Sequence, residues 1–176
     1  MPDRKKKRKK QTGLLPYLPL AFALPGTTSS ILGLILPFAA RLTKNPYTGK
    51  ITRETMTLSE WGRSHDALRE IGSGGYSFFG AARGLVWTVA VTAVIVLLFL
   101  VVSRFARPSR ELCWTVVILG VLLALASVVC FVCAVLFAVS LGSDATRVLL
   151  LVGAYLPLAG GLVSGVSAFF AVRRQL

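Results

Sequence analysis

The sequence predicts an all-α integral membrane protein with four transmembrane helices. Apolar residues make up 55% of its 176 residues and charged residues only 15%, against about 25% charged residues in soluble domains. A membrane helix needs roughly 20 apolar residues to cross about 30 Å of hydrocarbon. Four stretches without Lys, Arg, Asp, Glu or His reach that length: Leu14–Ala40, Gly84–Ser103, Leu112–Leu141 and Val148–Val172.

Residues 1–13 form a predicted basic cytoplasmic tail. Met1–Lys10 holds seven of the 20 Lys and Arg residues of a chain whose net charge is +13. Because the run precedes an apolar span, we expect it to rest on anionic lipid, at about 1 kcal/mol per basic residue near the surface. A nucleic-acid partner is not expected. The predicted lipid-contact residues are Lys5, Lys6, Lys7, Arg8, Lys9 and Lys10.

The first span, residues 14–40, is interrupted by the helix breaker Pro25-Gly26. It either crosses once with a bend near Pro25, where it would lean on a partner, or re-enters as two half-helices. A re-entrant backbone needs protein or water around it. Short basic clusters at span ends, here Arg104–Arg110 and Arg173-Arg174, also orient a chain more strongly than a long loop does. A single crossing is therefore predicted, in the plasma (inner) membrane with both termini cytoplasmic.

Residues 41–83 form a polar loop with recognisable local signals. Asn45–Lys50 has the composition of a turn, and the alternating residues Ile51–Thr57 indicate a weak strand. The capping-box spacing of Thr57 and Glu60 predicts a helix over 58–71, ended by Gly72. Its apolar residues recur at threes and fours, so we expect this face to lie in the membrane interface or bind a neighbouring subunit. The apolar residues are Leu58, Trp61, His65, Leu68 and Ile71.

The rest of the chain alternates spans with short connections. Residues 84–103, 112–141 and 148–172 are the remaining spans, and Pro108 excludes a continuous helix through the basic loop 104–111. Residues 142–147 form a short loop, and residues 173–176 a basic C-terminus.

Small residues recur along the third and fourth spans. Gly153, Pro157, Gly161 and Gly165 lie four residues apart, and Gly120, Ala124 and Ser127 form a similar stripe. Such ridges allow two helices to approach closely in lipid. Two arrangements remain open: the third span packs on the fourth, or a partner packs there. The predicted partner-binding residues are Trp61, Leu58, Leu68, Gly161 and Gly165.

No catalytic, metal or cofactor site is predicted. Cys130 and Cys133 have C-x-x-C spacing, but a structural zinc site needs four ligands and His65 is the one histidine. Small packing residues are the favoured interpretation of these two cysteines and of Cys113. Ser64, His65 and Asp66 are consecutive, so on a helix they point about 100° apart and are not expected to form a relay.

These observations predict a non-catalytic accessory subunit that packs against and stabilises a larger membrane protein complex. The spans lack the intramembrane ionisable residues that coupled transport normally needs. A subunit of an oligomeric channel or transporter, built from several copies of the chain, is the alternative. A membrane enzyme ranks third, behind these two, because the sequence contains no recognisable set of catalytic residues.

Overall fold

The computed structural model describes residues 17–105, 110–143 and 145–173. Four of its helices are long and apolar enough to cross a membrane. In chain order the elements are α1 (Leu18–Ile35), β1 (Pro37–Lys44), β2 (Ile51–Thr57), α2 (Leu58–Glu70), α3 (Phe79–Phe105), α4 (Arg110–Ser140), β3 (Thr146–Leu150) and α5 (Val152–Arg173). The mostly helical architecture, with four helices of spanning length, agrees with the prediction. The all-α assignment is wrong, because the chain also forms a small sheet.

The first and fourth membrane helices are shorter than predicted, because the end of the first predicted span and the start of the fourth form strands. The first helix ends at Ile35, and Pro37 begins β1, so residues 36–40 are not helical. A proline disfavours helical geometry in the residue before it, and Leu36 is extended. Val148–Leu150 belongs to β3, and α5 begins at Val152. Short aliphatic runs fit a buried strand as well as a helix, so hydropathy could not separate them.

Helix α1 runs continuously through Pro25. Proline has no N–H, so the carbonyl of Ala21 loses its helical donor. The hydroxyl groups that follow stay within the helix, where Thr28 donates to the Leu24 carbonyl (2.9 Å) and Ser30 to the Gly26 carbonyl (3.1 Å). The 18 residues of α1 span about 27 Å. The structure thus has one continuous helix and not two half-helices.

Helix α5 packs on α1 along one line of small residues. A Cβ atom added at Gly26 would lie 2.9 Å from the Gly160 carbonyl oxygen, and one at Gly33 would lie 2.6 Å from Pro157. The part of α1 that follows Pro25 therefore packs on α5 of the same chain.

A second line of small residues on α5 faces α4. A Cβ at Gly161 would lie 2.6 Å from the Ser127 Cβ, and one at Gly165 would lie 2.6 Å from the Gly120 carbonyl oxygen. The predicted four-residue ridge is thus divided between two neighbours, and α5 is the central helix of the packing.

The sheet and α2 cover one end of the helix bundle. The strand order is β2-β1-β3, and both pairings are antiparallel. Because β1 follows α1 directly and β3 lies between α4 and α5, both connections meet at this end, which we call the sheet end. The opposite end, called the tail end, holds the start of α1 and the end of α5.

The outer surface of the bundle is apolar. Aromatic side chains about half exposed lie near both ends of the spans: Trp87 and Tyr155 toward the sheet end, Trp114 and Phe170 toward the tail end. Tyr155 and Phe170 are fifteen residues apart in sequence, or about 22 Å along the helix. Aromatic residues at two such levels are typical of the two interfaces of a bilayer.

Candidate functional site

The sheet has two faces of different character. Cross-strand partners in an antiparallel pair share a face, so the register assigns every strand residue. Ala39 pairs with Met56 and Leu150, and Arg41 pairs with Glu54 and Val148. These residues form the inner face. Its part nearest the bundle joins the apolar core around Phe38, Phe79 and Phe137.

The other face of the sheet, here called the outer face, is open to solvent except at Ala40, which is fully buried. Leu42 lies between Arg53 on one side and Arg147 on the other, while Lys44 pairs with Ile51 and Ala40 with Leu149. Lys44, Arg53 and Arg147 are exposed, Leu42 is partly buried, and Ile51 and Leu149 are 63% and 48% exposed. All residues of the three strands are described, and none on this face is Asp or Glu.

The β1–β2 hairpin extends away from the helix bundle, and the outer face extends along it. Its turn is held by Asn45, whose side-chain oxygen accepts from the backbone N–H groups of Tyr47 (2.9 Å) and Thr48 (3.1 Å). Gly49 has φ +66°, a conformation that suits glycine. Tyr47 at the tip is 95% exposed. The turn predicted over Asn45–Lys50 and the strand predicted over Ile51–Thr57 are therefore confirmed.

Helix α2 begins as the sequence predicts. The backbone N–H of Thr57 donates to the Glu60 carboxylate (2.7 Å), and the N–H of Glu60 donates to the Thr57 hydroxyl (3.4 Å). This is the complete capping box. The bond from the Thr57 backbone lowers the pKa of Glu60 below its usual 4.5. These hydrogen bonds hold the start of α2 at the end of β2.

The apolar face of α2 packs on its own chain. Trp61 is 1% exposed and Leu58 3% exposed, and the indole N–H of Trp61 donates to the Ala39 carbonyl (3.4 Å). The Trp61 ring lies edge-on to Phe137, with centroids 5.2 Å apart, and to Tyr76, at 5.4 Å. Leu68 is partly buried, whereas Ile71 is 77% exposed. These contacts account for the amphipathic pattern without a second protein.

Gly161 and Gly165, the other predicted partner-binding residues, are also buried. They form the contact of α5 with α4 described above, which is the internal one of the two arrangements left open by the sequence. The predicted lipid-contact residues, Lys5 to Lys10, lie outside the described part of the chain.

His65, Asp66 and Arg83 form a polar cluster where α2 meets α3. His65 Nδ1 lies 3.1 Å from Asp66 Oδ1, and the Arg83 guanidinium donates to Asp66 Oδ2 (2.9 Å). Arg83, and after it His65, holds the pKa of the Asp66 carboxyl below its usual 3.8. The imidazole is 6% exposed, and its ring centroid lies 5.5 Å from that of Phe79. The cluster ties α2 to the start of the second span.

His65 and Asp66 do contact each other, although they are adjacent in sequence. Ser64 does not join them, since its hydroxyl donates to the Glu60 carbonyl (3.3 Å). The ion-pair partner of Asp66 is Arg83 on the next helix.

The cysteines lie within the span packing. Cys113 and Cys130 are buried, and the Cys130 thiol lies 3.8 Å from the Ala82 carbonyl oxygen. Within the described ranges, no cluster of three or more His, Cys, Asp or Glu side chains could hold a metal ion.

Sequence reasoning missed the outer face. The sequence places Leu149 in the predicted fourth span and residues 37–40 in the predicted first span, so it predicts no pairing between these segments. The sequence did contain a signal for this face. Arg147 comes immediately before an aliphatic run, and Arg53 lies in the alternating segment Ile51–Thr57. Alternation of cations with aliphatic residues is typical of a strand with one open face.

The chain matches no protein-family model, and no curated protein shows significant sequence similarity to it. Its functional interpretation therefore depends on its own residues.

Proposed function

We propose that this protein is a non-catalytic accessory subunit that packs against and stabilises a larger membrane protein complex, docking through the outer face. The observation that supports this most is the exposure of three cations and two aliphatic side chains on one side of a sheet held rigidly on the bundle. Arginine is enriched in protein interfaces relative to other surface.

The charge of the outer face defines the chemistry of the partner. Lys44, Arg53 and Arg147 without a neighbouring acid on that face favour an acidic surface. Ile51 and Leu149 favour aliphatic side chains beside those acids, because burying the exposed half of each contributes about 1 kcal/mol. We therefore propose an acidic, partly apolar extramembrane segment of a larger membrane protein as the occupant.

We also propose that the tail end faces the cytoplasm and that the protein resides in the plasma (inner) membrane. In the sequence, short basic segments adjoin the helix ends that lie at the tail end: Met1–Lys10 precedes α1, Arg104–Arg110 joins α3 to α4, and Arg173-Arg174 ends α5. Such segments carry the orientation signal of membrane proteins. The outer face is then on the opposite side of the membrane.

The orientation is tested by cysteine labelling. Thr48→Cys and Ser109→Cys are each introduced into a chain whose three native cysteines are replaced by Ala. An impermeant maleimide on intact cells should label position 48 and leave position 109 unlabelled until the membrane is opened. Labelling of position 109 alone would reverse the orientation.

The accessory role is tested by purification of the full chain in mild detergent and mass spectrometry of the proteins that co-elute. The double variant Arg53→Gln/Arg147→Gln removes two cations of the outer face. Its partner recovery should fall about tenfold, on the scale of two partly exposed ion pairs worth up to about 1 kcal/mol each. The loss should be mimicked by raising the salt concentration.

Arg41→Gln is the matched control, because Arg41 is exposed on the inner face of the same sheet. It should retain the partner. Recovery of the wild-type chain only as a lone monomer, or equal recovery from both variants, would contradict the proposal. Ion flux through liposomes containing this chain alone would favour the oligomeric channel or transporter subunit instead.

A further inference from the structure

Strand β2 is an open edge of the sheet. The strand order is β2-β1-β3, and among the described residues no strand lies beyond β2. All residues of Ile51–Thr55 are exposed, while Met56 and Thr57 are partly buried. An edge strand presents backbone N–H and C=O groups that no neighbouring strand satisfies, and such groups can pair with an added strand.

The other edge strand, β3, is less available for pairing. The N–H of Thr146 donates to the Ser143 carbonyl (3.2 Å), and the N–H of Ser143 donates to the Thr146 carbonyl (2.7 Å). Val148 is 9% exposed and belongs to the apolar core, and β3 lies against α4. The accessible edge of the sheet is therefore β2.

The register of β1 and β2 identifies the free backbone groups of β2. The N–H of Asn45 donates to the Lys50 carbonyl (2.9 Å). Hydrogen-bonded pairs alternate with non-hydrogen-bonded pairs in an antiparallel ladder, so the next residues of β2 that bond to β1 are Thr52 and Glu54. The residues between them turn their N–H and C=O groups toward the open edge. These residues are Ile51, Arg53 and Thr55.

The same three residues belong to the outer face. Arg53 pairs with Leu42 and Thr55 with Ala40, which places both side chains on that face together with Ile51. Residues directly opposite each other in neighbouring strands share a face. A residue of an added strand that is hydrogen-bonded to Arg53 would therefore place its own side chain beside Arg53, on the outer face.

The charge at this edge favours one kind of added strand. On the inner face, Glu54 lies opposite Arg41, so opposite charges are already paired in the register. On the outer face, Lys44, Arg53 and Arg147 have no acid beside them within the three strands. An added strand with acids on its outer-face side would balance these cations. A second copy of the chain would instead bring further cations to the same face, and like charges opposite each other are destabilising.

We propose that β2 accepts an extended segment of the larger membrane protein as an antiparallel fourth strand, with the acidic and aliphatic side chains of that segment on the outer face. This inference rests on the proposed accessory function and adds the way in which the partner is held. Main-chain hydrogen bonds to residues 51, 53 and 55 provide affinity, and the alternate side chains provide specificity. Antiparallel pairing is slightly more stable per residue than parallel pairing.

A synthetic peptide tests strand addition on the full chain in detergent. The probe is a short fluorescent peptide in which Thr occupies every second position and Asp and Val occupy the others, and fluorescence polarisation measures its binding. With Asp and Val on the outer face, the antiparallel pairing turns their N–H groups toward β2 and the N–H groups of Thr away from it. N-methylation of one Asp and one Val should weaken binding about tenfold, as expected for the loss of two hydrogen bonds.

N-methylation of two Thr residues of the same peptide is the matched control and should leave the binding unchanged. A peptide of the same composition in scrambled order should bind more weakly than the probe, because general attraction to a cationic chain does not depend on the order of residues. Equal binding of the two methylated peptides, or equal binding of the probe and the scrambled peptide, would overturn the proposal.

Thr55→Pro tests the same edge in the complex with the partner. Proline removes a free N–H group and is tolerated in an edge strand where that group faces solvent. Recovery of the partner should fall about fivefold, on the scale of one hydrogen bond. Thr55→Val keeps the N–H group and should retain the partner. If Thr55→Pro does not fold, the peptide measurements on the unaltered chain decide.

The two proposals fail in distinguishable ways. Loss of the partner from Arg53→Gln/Arg147→Gln but not from a folded Thr55→Pro would leave docking on the outer face intact and overturn strand addition. Recovery of the wild-type chain without a partner would contradict the accessory function, whereas the peptides test the edge by themselves. A dimer of the wild-type chain that Thr55→Pro dissociates would assign the edge to a second copy and overturn the proposal.

Discussion

The apolar face of α2 and the outer face of the sheet differ in what covers them. Both arise from an amphipathic pattern in the same extramembrane region. The α2 face, led by Trp61, is covered by the chain itself, while the outer face, with Ile51 and Leu149, stays exposed. Apolar periodicity thus predicts that a face will be buried, but it does not predict which surface covers that face.

The difference has a physical cause. Trp61 lies within reach of Phe137 and Tyr76, and its indole N–H finds the Ala39 carbonyl, so its burial leaves no polar group unpaired. The outer face alternates cations with aliphatic residues. Burying Arg53 and Arg147 inside the chain would require desolvating both charges without an acid to pair them. A surface of this kind is more stable facing water or an acidic partner.

The largest expected effect tests the internal role of Trp61. Trp61→Ala removes a ring packed among aromatic side chains and should lower the free energy of unfolding by about 3–5 kcal/mol. Ile71→Ala, at the exposed end of the same helix face, should change it by less than about 0.5 kcal/mol. Thermal or denaturant unfolding in detergent measures both. Similarly small effects of both variants would contradict the internal role of Trp61 and favour its predicted role in binding a partner.

The contact of α5 with α4 should also be sensitive. Gly161→Leu forces a side chain against the Cβ of Ser127, an overpacking that costs about 1–3 kcal/mol or more. Val163→Leu, two residues away and exposed, should be tolerated. The yield of monodisperse protein and its unfolding midpoint distinguish them. An unaffected Gly161→Leu would mean that the two helices do not pack as described.

A smaller effect concerns the ion pair that joins α2 to α3. The pKa of Asp66 is lowered in the folded protein, chiefly by Arg83. The stability from this pair should therefore be complete above the usual carboxyl pKa of 3.8, and be lost as the pH falls through the lower folded-state value. The unfolding midpoint, followed from pH 7 to about pH 3, should decline at the acid end.

Arg83→Gln should make that acid decline shallower, since the pKa of Asp66 returns toward its usual value. Arg69→Gln is the control, because Arg69 lies on α2 but forms no ion pair among the described residues. Identical pH profiles for the wild type and Arg83→Gln would show that Asp66 gains nothing from Arg83 in solution.

The smallest expected effect on stability is at the outer face. Leu149→Ser should lower the free energy of unfolding of the isolated protein by only about 1 kcal/mol, because half of the side chain is already exposed. The same variant should reduce partner recovery. A large loss of stability would make Leu149 a core residue and weaken the contrast between the two faces.

The sequence by itself determined the local and compositional features of this protein. Uncharged apolar stretches long enough to cross a bilayer predicted the four spans, because a charge inside hydrocarbon is costly. The Thr57–Glu60 spacing predicted the start of α2, and Asn45–Lys50 predicted the hairpin turn, since both depend on hydrogen bonds between residues at most five apart.

Only the tertiary structure decided which surfaces meet. Residues 37–40 and 148–150 are apolar enough for a span, and their pairing as strands arises because α1 and α4 end at the same level of the bundle. The small residues of α5 contact two neighbouring helices, because residues 153, 157 and 160 lie on one side of the helix and residues 161 and 165 on another. Trp61 is covered by the chain's own aromatic residues because contacts between residues far apart in sequence depend on the arrangement of the helices.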